Sequence, residues 1–103
     1  MIYKLNIPER IHLLNMIPKE GSFVTLKAIR TLNDKIGFSA EDLVTFDIKE
    51  DNGLVTWNER GNETTDINLC DAEAEILRKE LRTKNDTESL TMDMFSIYEK
   101  FMC

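Results

Sequence analysis

The sequence has little of what most active sites are built from. Its 103 residues include a single histidine, His12, and only two cysteines, Cys70 and Cys103, which are far apart in the chain. There is no C-x-x-C or H-x-x-x-H pair to hold zinc, no G-x-S-x-G nucleophile, and no glycine-rich loop of a nucleotide-binding type. We therefore expect no catalytic residue, no metal site and no cofactor, and we interpret the protein as not being an enzyme.

Long apolar runs are also absent. No stretch approaches the ~20 residues that span a bilayer, and the N-terminal segment MIYKLNIPERIHLL lacks the uninterrupted apolar region of a secretory signal. Two cysteines are too few for a disulfide scaffold. These absences predict a cytoplasmic protein with free thiols and no contact with membranes.

What is present is ordinary for a globular protein. Hydrophobic residues make up 42% and charged residues 31% of the chain. A chain of this length can bury a real core without help from a metal or a disulfide. We therefore predict one domain that spans residues 1–103.

The most regular stretch is SFVTLKAIRTLNDKI, residues 22–36. Ala28, Ile29, Leu32 and Ile36 fall on one side of a helix, and polar residues fall away from that stripe. Such a helix needs cover, because its stability comes mostly from packing its apolar face. Capping residues and apolar spacing predict further helices over residues 8–17, 40–45 and 72–83, and a last helix after Thr91.

The clearest local signal is Asn52-Gly53, which lies between the alternating runs FDIKED and LVTWNE. Asn-Gly is the preferred type I′ hairpin loop, because both of its central residues need a positive φ. The implied pairs are Asp51–Leu54, Glu50–Val55, Lys49–Thr56 and Ile48–Trp57. Ile48, Val55 and Trp57 then share one face of the hairpin.

Two further runs alternate with the period of a strand. Thr65, Ile67 and Leu69 form one, and Tyr3 and Leu5 belong to the other, at the N-terminus. We therefore predict an α+β fold, a small single domain of about five helices. Its sheet is expected to be a three-stranded antiparallel meander, with the N-terminal strand as a candidate fourth strand.

The order helix, helix, helix, hairpin is that of a winged helix, in which the third helix reads the major groove of DNA. Here the third helix carries Glu41 and Asp42 and no basic residue. Residues that read bases are normally Arg, Lys, Asn or Gln, supported by contacts to phosphate. A winged-helix-like DNA-binding regulator is therefore the alternative hypothesis, and the charge argues against nucleic acid.

The net charge of −6 is unevenly distributed. Residues 1–38 carry six basic and three acidic side chains, whereas residues 39–70 carry two basic and eight acidic ones. A fixed array of carboxylates can dock on a basic protein surface. The predicted partner-binding residues are these eight acids: Glu41, Asp42, Asp47, Glu50, Asp51, Glu59, Glu63 and Asp66.

The last predicted helix is apolar around most of its circumference, so it is either deeply packed or meets another chain. Self-association as a homodimer is the hypothesis that follows from the second alternative. The residues that would carry it are Met94, Phe95, Tyr98, Phe101 and Met102.

A set of short segments resembles small uncharacterised proteins encoded by phages and prophages. The segments are Glu9-Arg10-Ile11, Leu14, Pro18-Lys19-Glu20-Gly21, Thr25-Leu26-Lys27, Ile29-Arg30, Leu32 and Tyr98-Glu99-Lys100-Phe101. The resemblance spans most of the chain and brings no activity with it. It implies a protein that binds a host protein, for example to inhibit a nuclease of host defence.

Overall fold

The computed structural model describes residues 1–102 and shows a small α+β fold. The elements are β1 (Ile2–Leu5), α1 (Ile7–Met16), α2 (Phe23–Ile36), α3 (Ala40–Thr45), β2 (Lys49–Asp51), β3 (Leu54–Thr56), β4 (Thr65–Asn68), α4 (Asp71–Asp86) and α5 (Phe95–Met102). Short 3-10 helices cover Glu59–Asn62 and Met92–Met94. The expected free thiol of Cys103 lies outside the described residues.

One hydrophobic core joins α1, α2, α4 and α5 to the strand pair β1–β4. Its most enclosed side chains include Leu5, Leu32, Leu77, Leu81 and Ile97, all with essentially no exposure. Burying one such side chain stabilises the fold by about 1.5–3 kcal/mol. This core therefore holds the four helices and the β1–β4 sheet together.

Helix α2 confirms the predicted apolar stripe. Ile29, Leu32 and Ile36 are buried and Ala28 is half-buried. The Ser22 hydroxyl accepts a hydrogen bond from the Thr25 N–H at 3.2 Å, so the helix begins where a serine N-cap was expected.

The expected three-stranded meander is wrong. Strand β4 pairs with β1, with Tyr3 opposite Ile67 and Leu5 opposite Thr65, and forms no ladder with β3. A 3-10 helix fills the connection after β3, where a meander would need a hairpin turn. The N-terminal strand therefore exists, but it pairs with β4 in a separate two-stranded sheet. Alternation assigned the buried faces correctly, because Tyr3 and Ile67 are both buried.

The hairpin β2–β3 is confirmed over three of its four predicted pairs, Lys49–Thr56, Glu50–Val55 and Asp51–Leu54. The fourth, Ile48–Trp57, is not part of the ladder, and the Ile48 N–H donates instead to the carbonyl oxygen of Leu43 at 3.0 Å. Asn52 and Gly53 have φ values of 51° and 81°, as a type I′ turn requires. The order of three helices and a hairpin is also as predicted. The hairpin, however, pairs with no other strand within residues 1–102 and stands beside the core as a separate sheet.

Buried carboxylates tie the helices together. Glu9 caps the start of α1 at the Asn6 N–H, and its two oxygens accept hydrogen bonds from Lys100 at 2.7 Å and Ser96 at 2.9 Å on α5. Burial alone would raise the pKa of Glu9, but these hydrogen bonds outweigh it and hold the pKa below its ordinary value. A charged Glu9 therefore fastens α5 to α1.

Candidate functional site

A groove of about 620 Å³ separates α1 from the hairpin, and we call it the α1–hairpin groove. Pro8, Ile11, His12, Leu14 and Asn15 line it on the side of α1. Most of these residues lie on the side of α1 that is turned away from its buried Leu13, whereas Leu14 at the edge of that side also packs against the core. A cleft of this volume falls in the range of ordinary binding sites, about 300–1,000 Å³.

The opposite wall comes from one face of the hairpin. Ile48, Glu50, Val55 and Trp57 line the groove, together with the turn residue Gly53. The pleat explains this set, because residues two apart in a strand point to the same face and Glu50 is the ladder partner of Val55. The face predicted for Ile48, Val55 and Trp57 is therefore the face that meets the groove.

Gly61 holds Trp57 in position. A Cβ placed at residue 61 would overlap the indole ring of Trp57, so only glycine lets the ring lie against this backbone. Trp57 remains 39% exposed and lines the groove. The indole thus forms one wall of the groove in a position that depends on the absence of a side chain at residue 61, and any side chain there would displace it.

Arg10 fixes the third wall, which is formed by Phe38 and Leu43. Its side chain is 2% exposed and donates hydrogen bonds to the carbonyl oxygens of Ile36 at 2.9 Å and Gly37 at 2.6 Å. These are carbonyl groups at the end of α2, where a cation meets the helix dipole favourably. The guanidinium carbon also lies 4.6 Å from the centre of the Phe38 ring, within cation–π distance.

Arg10 also anchors α3 through Asp42. Its Nη2 lies 3.1 Å from Asp42 Oδ2, and the same carboxylate caps α3 by accepting the Ser39 N–H. Burial would raise the pKa of Asp42, but the hydrogen bonds from Ser39 and Arg10 lower it overall. Arg10 therefore connects α1, α2 and α3 and sets the place of the groove wall that carries Leu43.

The eight predicted partner-binding acids divide into two sets. Four form ion pairs: Asp42 with Arg10, Asp47 with Lys49 at 3.5 Å, Glu63 with Arg60 at 2.7 Å, and Asp66 with Lys4 at 3.6 Å. Of all eight acids, seven are exposed and only Asp42 is half-buried. Four make no ion pair within residues 1–102: Glu41, Glu50, Asp51 and Glu59. We call these four the unpaired acids; one of them, Glu50, lines the groove.

The residues predicted for self-association do not form one exposed surface. Phe101 is 5% exposed and its ring stacks on Tyr3 with centroids 4.2 Å apart, so it belongs to the core. Met94, Tyr98 and Met102 are half-buried. Only Phe95 of the five is exposed, because α5 packs against both α4 and β1 and is covered over most of its apolar surface.

A second, smaller cavity of about 250 Å³ lies between α2 and α4 and includes Lys35, Cys70 and Glu73. The carboxylate of the buried Glu73 accepts a hydrogen bond from the Cys70 N–H. It also forms an ion pair with Lys35, whose Nζ lies 2.7 Å from Glu73 Oε1. Burial would raise the pKa of Glu73, but these contacts lower it overall. His12 lines the α1–hairpin groove, so the one histidine and Cys70 face different cavities.

Sequence reasoning missed Arg10 and the role of Gly61. Arg10 sits within a helical pattern whose charged residues are normally solvated, so nothing local marks it as buried. In the sequence, the Arg60-Gly61 pair indicates only a turn. The groove itself joins α1 to residues some forty positions later, and no pattern in the chain shows that proximity.

No protein-family model matches this chain, and neither a curated protein nor a solved structure matches it. Within residues 1–102, no helix combines the length and the apolar character needed to cross a membrane. No group of three or more potential metal-binding His, Cys, Asp or Glu side chains occurs in the same part of the chain.

Proposed function

We propose that this protein is a non-enzymatic protein-binding domain that acts through the α1–hairpin groove and the unpaired acids, of which Glu50 lines the groove. The observation that carries the proposal is a 620 Å³ groove with largely apolar walls whose lining includes one carboxylate, that of Glu50, which makes no ion pair within residues 1–102. Apolar contact in such a cleft supplies affinity, and a field of one sign supplies steering and specificity.

A protein partner fits this surface better than DNA. Nucleic-acid binding depends on Lys and Arg that neutralise phosphates. Helix α3 and the hairpin would be the reading helix and the wing, yet they expose Glu41, Glu50 and Asp51 with Lys49 as their basic residue. The resemblance to phage-encoded proteins suggests a host protein as the partner, with inhibition of a defence protein as the outcome.

The proposal is tested by capture from bacterial lysate at low and at high salt. The groove variant replaces Glu50, which lines the groove, and two further unpaired acids of α3 and the hairpin, Glu41 and Asp51, with lysine. Its control replaces three exposed acids outside the groove, which are Asp34, Asp86 and Glu99, so the change in net charge is the same. We expect the wild-type and control proteins to capture the same partner and the groove variant to lose it.

Two results would contradict the proposal. One is capture that survives in the groove variant, and the other is no captured protein at either salt. A gel shift with genomic DNA fragments at about 50 mM salt, where phosphate contacts are strong, is run in parallel. Retardation of DNA by the wild-type protein would favour the winged-helix alternative instead.

A further inference from the structure

We infer that the α1–hairpin groove receives an arginine side chain from a basic segment of the partner, with the guanidinium between Glu50 and the indole of Trp57. This inference rests on the proposed function and specifies the chemistry of the partner. Its first basis is charge: the lining of the groove contains one carboxylate, that of Glu50, and neither Lys nor Arg.

Glu50 is free to accept a ligand. Its carboxylate makes no ion pair and no side-chain hydrogen bond within residues 1–102, whereas the nearby Asp47 is already paired with Lys49. A carboxylate beside apolar walls attracts a cation more strongly than one in open water, because the walls lower the local dielectric. The ligand expected there is therefore cationic.

Trp57 determines which cation fits best. The indole face binds cations more strongly than any other side-chain ring, and guanidinium stacks on aromatic faces while its N–H groups bind a carboxylate. Lysine offers a point charge without that planar fit. The same fold already uses this chemistry at Arg10, whose guanidinium lies over Phe38 and bonds Asp42, and at Arg60, which lies over Phe46 and bonds Glu63.

The positive charge of Arg10 does not oppose a second cation in the groove. Arg10 is buried outside the lining, and its charge is paired with Asp42 at 3.1 Å. The remaining lining is mainly apolar, with Ile11, Leu43 and Val55 available to the methylene stem of the incoming arginine. The volume of 620 Å³ exceeds one side chain, so apolar neighbours of that arginine enter with it.

The test uses two blocked heptapeptides with leucines flanking the central residue, which is arginine in one and citrulline in the other. Citrulline has nearly the same shape as arginine but no charge. Trp57 is the one tryptophan of the chain, so its indole N–H resonance and its fluorescence both report on the groove. We expect the arginine peptide to shift the indole signal at pH 7.5 and to bind at least ten-fold more tightly than the citrulline peptide.

Glu50→Gln removes the charge with little change of shape and should weaken the arginine peptide at least ten-fold. Glu99→Gln is the matched control, because Glu99 is also exposed and makes no ion pair within residues 1–102 but does not line the groove; we expect a change below three-fold. Circular dichroism spectra of both variants are compared with that of the wild-type protein to check that the variants are folded. Equal binding of the two peptides, equal effects of the two variants, or an unchanged indole signal overturns the inference. If the groove variant still loses its lysate partner in any of those cases, the proposed function stands and only the arginine assignment fails.

Discussion

Replacing Arg10 with methionine should destabilise the protein more than any exposed charge substitution. Arg10 is 2% exposed and donates three hydrogen bonds, to the carbonyl oxygens of Ile36 and Gly37 and to the carboxylate of Asp42. Methionine fills a similar volume, so the loss is polar and does not come from a cavity. The end of α2 and the start of α3 would then lose their shared partner.

The magnitude follows from the individual contacts. Hydrogen bonds that involve a charged group contribute about 1.5–3 kcal/mol each, so the two carbonyl bonds together are worth about 3–6 kcal/mol. Arg10 Nη1 is buried without a partner, and removing that unsatisfied group returns about 1–3 kcal/mol. The Asp42 side chain is 22% exposed, so water replaces part of what it loses. We expect a net loss of about 2–4 kcal/mol in the free energy of unfolding.

Urea unfolding followed by far-ultraviolet circular dichroism and by Trp57 fluorescence measures this loss, and agreement of the two probes tests two-state behaviour. Arg82→Met is the matched control, since Arg82 is 48% exposed and should change stability by no more than about 0.5 kcal/mol. A loss below about 1 kcal/mol for Arg10→Met would refute the claim that this side chain connects the three helices.

Further predictions concern acid, the groove and the core. The pKa values of Glu9 and Glu73 are lowered below 4.5 in the folded protein, so both carboxylates contribute to the free energy of unfolding above pH 4.5. This contribution is lost as the pH falls through the folded-state pKa values. The free energy of unfolding of Glu9→Gln, measured by denaturation at about pH 3–6, should therefore depend less on pH than that of the wild-type protein. Gly61→Ala should displace the Trp57 indole, cost about 1–3 kcal/mol and shift its emission, whereas unchanged emission would be inconsistent with the contact. Leu77→Ala should cost about 2–5 kcal/mol in urea unfolding, and a smaller loss would mean that this site is not core.

Local signals were accurate wherever the cause of the structure lies within a few residues. The Asn52-Gly53 turn forces positive φ values and thereby sets the register of the hairpin. Ser22 and the stripe that ends at Ile36 gave the bounds and the buried face of α2. The pairing of Tyr3 with Ile67 was missed, because alternation identifies the buried face of a strand but carries no information about its partner.

The sequence by itself determined the α+β class, the hairpin, the main helix and the concentration of carboxylates in residues 39–70, since each follows from spacing, turn chemistry or charge. Only the tertiary structure decided which carboxylates are neutralised, that Arg10 is buried, and that α1 and the hairpin enclose a groove. Ion pairing, burial and enclosure depend on distances between residues far apart in the chain. Those distances arise when the whole core packs, because no single segment can bury its own apolar face.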